Sequence, residues 1–210
     1  MRSLTFQTFS NDERSEMQRR EEEHKQRELN EIANRIIEKA NFPARHLIDL
    51  EPEGDGWKKL SSRLASKAGS GFIIGITGAR GTGKTLLGAV LARHEAKKKR
   101  SSKYQTAMGF FLDVKEAFDG KLSEKAVIES YIKPKLLIID EMQERGQTQW
   151  EDRLLTHLID RRYGAMHDTL LIGNQTKEEF TKSLGDSIAS RIIETGGIAV
   201  CNWPSFRTAL

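Results

Sequence analysis

Three observations predict an α/β fold built on a parallel sheet covered by helices on both faces. Short uniformly apolar runs such as Leu136-Leu137-Ile138-Ile139 recur along the chain. Between them lie longer stretches whose apolar residues return every three or four positions, as in Trp150, Leu154, Leu155, Leu158 and Ile159. Strands apolar on both faces need cover on both faces, and parallel strands need helical crossovers to supply it. Finally, the glycine-rich octet Gly78-Ala79-Arg80-Gly81-Thr82-Gly83-Lys84-Thr85 lies where one apolar run hands over to a helical pattern.

A chain of 210 residues suits one domain of ordinary size with an appendage. The expected division is an N-terminal helix over 1–41, a connector and helix over 42–70, and a core over 71–210. From Asp12 to Glu28 acids precede bases at helical spacing: Glu16 and Arg20, Glu21 and Lys25, Glu23 and Arg27. Each such pair adds only about 0.2–0.5 kcal/mol, but in series they support an exposed helix. From Leu29 the pattern turns amphipathic, through Ile32, Ala33, Ile36, Ile37 and Ala40, so that this face must be covered by the main domain or by a partner.

Pro43, Pro52, Gly54 and Gly56 mark a connector. Trp57, Leu60, Leu64, Ala65 and Ala68 form a further helix, closed by Gly69-Ser70-Gly71. Strands are expected over 72–77, 106–112, 136–140, 169–173 and 198–202. Helices are expected over 84–99, 148–163, 177–184 and 188–193.

Charge and cysteine content narrow the function classes. A net charge of +4 leans toward an anionic partner, but weakly, because acids and bases are interspersed. Cys201 is the lone cysteine, which excludes an internal disulfide framework and a cysteine-based zinc module. No apolar run approaches the roughly 18 residues of a membrane span, and the N-terminus lacks an apolar signal segment. A soluble, cytoplasmic protein is the expectation.

The octet satisfies G-x-x-x-x-G-K-[ST] in the required context, after a strand and at the start of a helix. Glycines let successive backbone N–H groups turn inward around phosphate oxygens, and the helix N-terminus adds favourable dipolar charge. Gly78, Arg80, Gly81, Thr82 and Gly83 thus form the cradle. Lys84 reaches the β- and γ-phosphates, and the Thr85 hydroxyl ligates Mg²⁺. ATP and Mg²⁺ are the expected ligands.

Asp140, at the end of an apolar strand, is placed to hold that metal ion through water. Glu141 follows it and can orient or deprotonate a water attacking the γ-phosphate. Asn174 follows the strand expected over 169–173 at its C-terminal end, where open parallel sheets gather their ligands, and a neutral amide there can position the attacking water. Arg191, in Ser190-Arg191-Ile192, is a candidate to neutralise charge on the transferring phosphoryl group, a role worth about 10³–10⁵ in rate when filled by a neighbouring subunit.

Together GARGTGKT, LLIIDE, LLIGNQ and SIASRI resemble the Walker A, Walker B, first-sensor and arginine-finger segments of an AAA+ ATPase. The tail LIDRRYGAMHDTLLIGNQTKEEFTKSLGDSIASRIIETGGIAVCNWPSFR is similar to the DnaC/IstB-type branch, which includes bacterial replicative-helicase loaders and transposition helper ATPases. The resemblance covers about residues 42 to 207. It implies a P-loop NTPase of the AAA+ ASCE type, from whose pattern this sequence is expected to depart in having a short N-terminal helical extension and no full C-terminal lid. It also implies slow, assembly-dependent ATP hydrolysis, with Arg191 completing the site of the next subunit. Single-stranded DNA and a replicative ring helicase are the implied partners. The helicase would dock on the face from Leu29 to Ala40 or on the charged helix before it.

Several basic and aromatic residues keep two readings. Arg161 and Arg162 complement a helix C-terminus or lie near a neighbour's nucleotide or DNA. Lys97, Lys98, Lys99, Arg100 and Lys103 form a solvated helix end or a phosphate-backbone contact. The segment Val114 to Lys133, with Lys115, Phe118, Lys121, Lys125 and Tyr131, corresponds to a stretch that in the family often faces DNA, and Phe118 or Tyr131 is a candidate to stack on a base. Three alternatives stay open: a transposition helper of the IstB type, a P-loop small-molecule kinase, and a nucleotide-gated DNA adaptor with little hydrolysis. Glu141 with Asn174 argues against the kinase. The run Asn174-Gln175-Thr176-Lys177 lacks an Asn-Lys-x-Asp arrangement, which favours ATP over GTP.

Overall fold

The computed structural model describes residues 11–48, 54–117, 120 and 123–207. Its strands are β1 (Ile73–Gly78), β2 (Ser102–Thr106), β3 (Leu136–Asp140), β4 (Asp168–Ile172) and β5 (Ile198–Cys201). Helices α1 (Asn11–Glu38) and α2 (Asp55–Lys67) precede the sheet. Between and after the strands run α3 (Lys84–Lys97), α4 (Ala107–Ala117), α5 (Glu124–Ile132), α6 (Gln149–Gly164) and α7 (Lys177–Thr195).

All neighbouring strands pair in parallel, in the order β2-β3-β4-β1-β5. Strand alternation divides the core between two faces. Leu136, Ile138, Ile74, Ile76, Leu170 and Ile172 join the side chains of α1, α2 and α3. Leu137, Ile139, Ile73 and Leu171 join those of α4, α5, α6 and α7. Each fully buried Ile or Leu contributes about 1.5–3 kcal/mol, so burial on both sheet faces holds the layers. The strand order also sets the site, because the C-terminal ends of β3, β4 and β1 lie side by side.

On α1 the ion pairs Arg20–Glu16 at 2.6 Å and Arg27–Glu23 at 4.0 Å run along an exposed stretch. Past it, Ala33, Ile37 and Ala40 are buried in the core cluster shared with α3. The apolar face of α1 is therefore covered by its own chain, and the segment from Ser15 to Glu28 is the part left exposed.

Two sequence expectations change. The strand expected over 106–112 is instead β2 at 102–106 followed by α4, because Ala107, Phe110, Phe111, Val114 and Ala117 are buried while Met108 and Leu112 are exposed. That is a helical stripe, not strand alternation. The helices expected over 177–184 and 188–193 form one element, α7, kinked at Gly185, whose φ of 74° breaks the helical path. Pro52, Phe118 and Lys121 lie outside the described residues. Among the described residues no helix is long and apolar enough to cross a membrane.

Candidate nucleotide site

The loop from Gly78 to Lys84 leaves the end of β1 and enters α3. Gly81 and Gly83 have φ of 84° and 78°, a left-handed backbone that side chains with a Cβ resist. Lys84 is buried and donates to Gly78 O at 2.8 Å and Ala79 O at 2.7 Å, with Thr82 Oγ1 at 3.4 Å. Burial lowers its pKa. Thr82 is itself fixed by donating to Ala79 O at 2.9 Å. Arg80 turns outward and pairs with Glu144 at 3.7 Å.

Thr85 Oγ1 donates to Asp140 Oδ2 at 2.6 Å, joining the start of α3 to the end of β3 across the sheet. These two oxygens are hard donors of the kind Mg²⁺ prefers, so the residues fit the expected ion. Asp140 also accepts from Tyr104 Oη at 3.2 Å and, through Oδ1, from the Glu141 amide at 2.7 Å. Tyr104 comes from β2, where it stands opposite Ile138, two residues before Asp140 on β3, and burial followed by the Asp140 charge raises its phenol pKa. No motif spacing marked it; its one sequence signal was an aromatic next to a basic cluster.

Glu141 adopts φ 55° and ψ 43°, left-handed values for a non-glycine residue. Such a conformation costs about 1–3 kcal/mol and concentrates at functional sites. Its carboxyl pKa is raised, chiefly by burial and then by the charges of Asp140 and Glu144, with Arg80 opposing. Asn174 follows β4, and its backbone amide donates to Gln143 Oε1 at 3.0 Å. A capping box between Thr176 and Glu179 starts α7 two residues later, leaving Asn174 on the loop. One cleft is lined by Gly78, Ala79, Asn174, Gln175, Thr176 and Trp203.

Arg191 is not part of this cluster. It pairs with Asp160 at 2.9 Å and donates to Ser187 O and Ser187 Oγ, each at 2.7 Å. One turn later Thr195 Oγ1 accepts from Ile73 N at 2.9 Å, at the beginning of β1. Arg191 thus sits at the opposite end of the sheet from its own chain's phosphate loop.

Several candidate DNA contacts are corrected. Arg162 is fully buried and donates to Thr169 Oγ1 and to the carbonyls of Tyr131, Ile132, Pro134 and Asp168, all within 3.0 Å. It is a structural clamp and has no face toward DNA or a neighbour. Arg161 pairs with Glu129 at 2.8 Å. Tyr131 is likewise fully buried, packed edge-on against Phe110, so it offers no face to a base. Within the basic cluster Lys98 and Arg100 pair with the buried Glu95, and Lys103 bonds Ser130 and lies 3.5 Å from the centre of the Tyr131 ring. Much of that cluster is therefore engaged within the chain.

Residues 8–195 match the family described as IstB-like ATP binding protein. Among curated relatives, the replicative helicase loader DnaC of Escherichia coli K12 is 26% identical over 134 residues, 63% of this chain and 55% of DnaC. The chain thus spans about half the length of that relative. The crystal structure of the DnaC helicase loader superposes with a TM-score of 0.63 at 18% identity, covering 73% of this chain and 94% of that one. AMPPCP-bound DnaA from Aquifex aeolicus superposes with a TM-score of 0.61 at 19% identity, over 71% of this chain and 48% of that one. At these identities the structural likenesses bear on the fold, which is that of the P-loop AAA+ proteins.

Proposed function

Because the chain belongs to the IstB-like ATP-binding family, we propose that it is an ATP-hydrolysing, single-stranded-DNA-associated AAA+ protein that loads a replicative ring helicase onto DNA. The observation that carries the ATP-hydrolysing part of this reading is the 2.6 Å bond from Thr85 Oγ1 to Asp140 Oδ2, which brings the loop hydroxyl and the strand-end acid together. The similarity to DnaC supports the loader role over the transposition helper.

In this reading residues 71–210 are the ATPase core, 42–70 lead into it, and 1–41 carry the docking helix. The amides of Gly81 and Gly83 and the Lys84 ammonium bind the triphosphate. Thr85 and, through water, Asp140 would hold Mg²⁺, which would supply neutralising charge on the phosphate oxygens. Glu141 takes the proton of the attacking water, for which its raised pKa makes it a better base than an ordinary carboxylate. Asn174 holds that water in line. Arg191 of one subunit serves the site of the next, in keeping with its distance from its own loop. With the apolar face of α1 covered by α3, the charged stretch from Ser15 to Glu28 is the docking surface for the helicase.

The test is a pull-down with the host's replicative helicase, with and without ATP and single-stranded DNA. ATP-dependent capture of the helicase is expected. Capture of a transposase in its place, or no helicase capture by folded, nucleotide-bound protein, would overturn the loader reading.

A further inference from the structure

Three successive carbonyls of the phosphate loop each accept a hydrogen bond from outside the loop. Phe206 N donates to Gly81 O at 2.9 Å, Trp203 Nε1 to Thr82 O at 2.9 Å, and Trp57 Nε1 to Gly83 O at 3.1 Å. One donor comes from α2, ahead of the sheet, and two come from the strap 202–207 that leaves β5 and crosses back over the loop. The contact is close. A Cβ at Gly83 would lie 2.9 Å from Trp57 Nε1, and one at Gly81 would lie 2.1 Å from Ser205 Oγ.

A loop that turns its amides inward to an anion must turn its carbonyls outward. With Gly81 and Gly83 in left-handed conformations, the intervening peptide planes can rotate at little steric cost, and each rotation removes an amide from the phosphates. Donors on Gly81 O and Thr82 O fix those planes, and at Gly83 O, which also accepts from Leu87 N of α3 at 3.0 Å, the Trp57 indole adds a second donor that ties the start of the helix to α2. The ordering entropy of the loop is then spent in folding and not in binding. Trp203 is half-buried, and its indole N–H donates to Thr82 O.

We propose that Trp57 and Trp203 are positioning residues that hold the phosphate loop in its nucleotide-binding conformation, the strap 202–207 serving as the second jaw of the clamp. The inference rests on reading the loop as the triphosphate site. Neither indole touches the reacting atoms; both act through Thr82 and Gly83.

The remaining tryptophan supplies a control. Trp150 packs on α6 against Phe111, with ring centres 5.9 Å apart, and belongs to the other face of the sheet. Calorimetry on the full chain would compare wild type, Trp57→Phe, Trp203→Phe and Trp150→Phe, using magnesium with a non-hydrolysable ATP analogue at a temperature where each variant is folded. Phenylalanine keeps an apolar ring and removes the donor. Trp57→Phe and Trp203→Phe are each expected to bind about three- to tenfold more weakly, and Trp150→Phe to match wild type. In turnover the loss should fall on KM with kcat little changed, since Glu141 and Asn174 are untouched. Unchanged affinity in both clamp variants would overturn the proposal, even with a lowered melting temperature, as would equal weakening by Trp150→Phe. Should Trp57→Phe fail to fold, Trp203→Phe decides alone, because its side chain is less buried than that of Trp57. Absence of binding by wild type would overturn the nucleotide reading itself, a different outcome from wild-type binding that the variants share.

Discussion

Lys84 and Arg162 are both buried cations that bond to neutral oxygens, yet they stand at opposite ends of the sheet and differ in what surrounds them. Lys84 follows β1, and its acceptors are carbonyls and a hydroxyl of its own glycine loop, beside a cleft. Arg162 ends α6, and its acceptors belong to the chain entering β3 and β4. Around Lys84 the backbone is built from glycines with left-handed φ, whereas around Arg162 it is tied to strand starts. The same charge thus serves ligand chemistry at the C-terminal end of the strands and architecture at the N-terminal end. Position relative to strand direction separates the two roles; residue type does not.

The largest expected effect breaks this pair apart. Arg162→Ala leaves the carbonyls of Ile132, Pro134 and Asp168 buried without that donor, which should cost about 3–5 kcal/mol in chemical denaturation. Lys84→Ala should cost less than about 1 kcal/mol of stability, while nucleotide affinity falls about ten- to hundredfold with the loss of a charged donor. A stable Arg162→Ala protein, or a Lys84→Ala protein that unfolds before it loses affinity, would erase the distinction.

Arg191 extends the comparison to a third cation, at the same end as Arg162 but partly exposed. Its Asp160 and Ser187 partners lie at the surface, so its geometry permits exchange for a partner on another subunit. Arg191→Ala and Lys84→Ala chains should each be inactive alone. Mixed in equal amounts, they should recover up to about a quarter of wild-type turnover, the chance that an intact loop meets an intact arginine in a randomly mixed interface. Steady-state phosphate release measures this. If both variants assemble and no activity returns, Arg191 does not act across subunits.

How much of this was legible depends on whether the informative residues are contiguous. Strand β3 shows in the sequence because Leu136 to Ile139 are apolar without interruption and buried on both faces. The phosphate loop shows because its chemistry requires eight neighbouring residues in order. Strand β2 did not, since Lys103 and Gln105 interrupt its inward Ser102 and Tyr104, and the adjacent Phe110 and Phe111 imitate a buried strand when both in fact belong to one broad helical face. Arg162 keeps two readings in the sequence, a helix-end cation or a residue near a neighbour's nucleotide or DNA, because consecutive arginines carry no sign of which one turns inward. Trp57 and Trp203 reach the loop from 26 and 121 residues away, a juxtaposition that no local spacing encodes.

The smallest expected effect lies in the acid limb of the pH profile. Burial is the main reason that the Glu141 carboxyl pKa is raised, with Asp140 and Glu144 adding repulsion and Arg80 offsetting it. A carboxyl raised in this way keeps its proton to higher pH, so a rate that needs its base form falls as pH drops through that raised value. Glu144→Gln removes one repelling charge and frees Arg80 from its 3.7 Å partner, and both changes favour the Glu141 carboxylate. The acid limb of kcat/KM should therefore move toward lower pH. Because Glu144 is half exposed, solvent screening keeps the shift small, and it should shrink further in high salt. A movement toward higher pH, or a salt-independent one, would mean that Glu141 is not the titrating base, and would return the contrast between the two ends of the sheet to Lys84 alone.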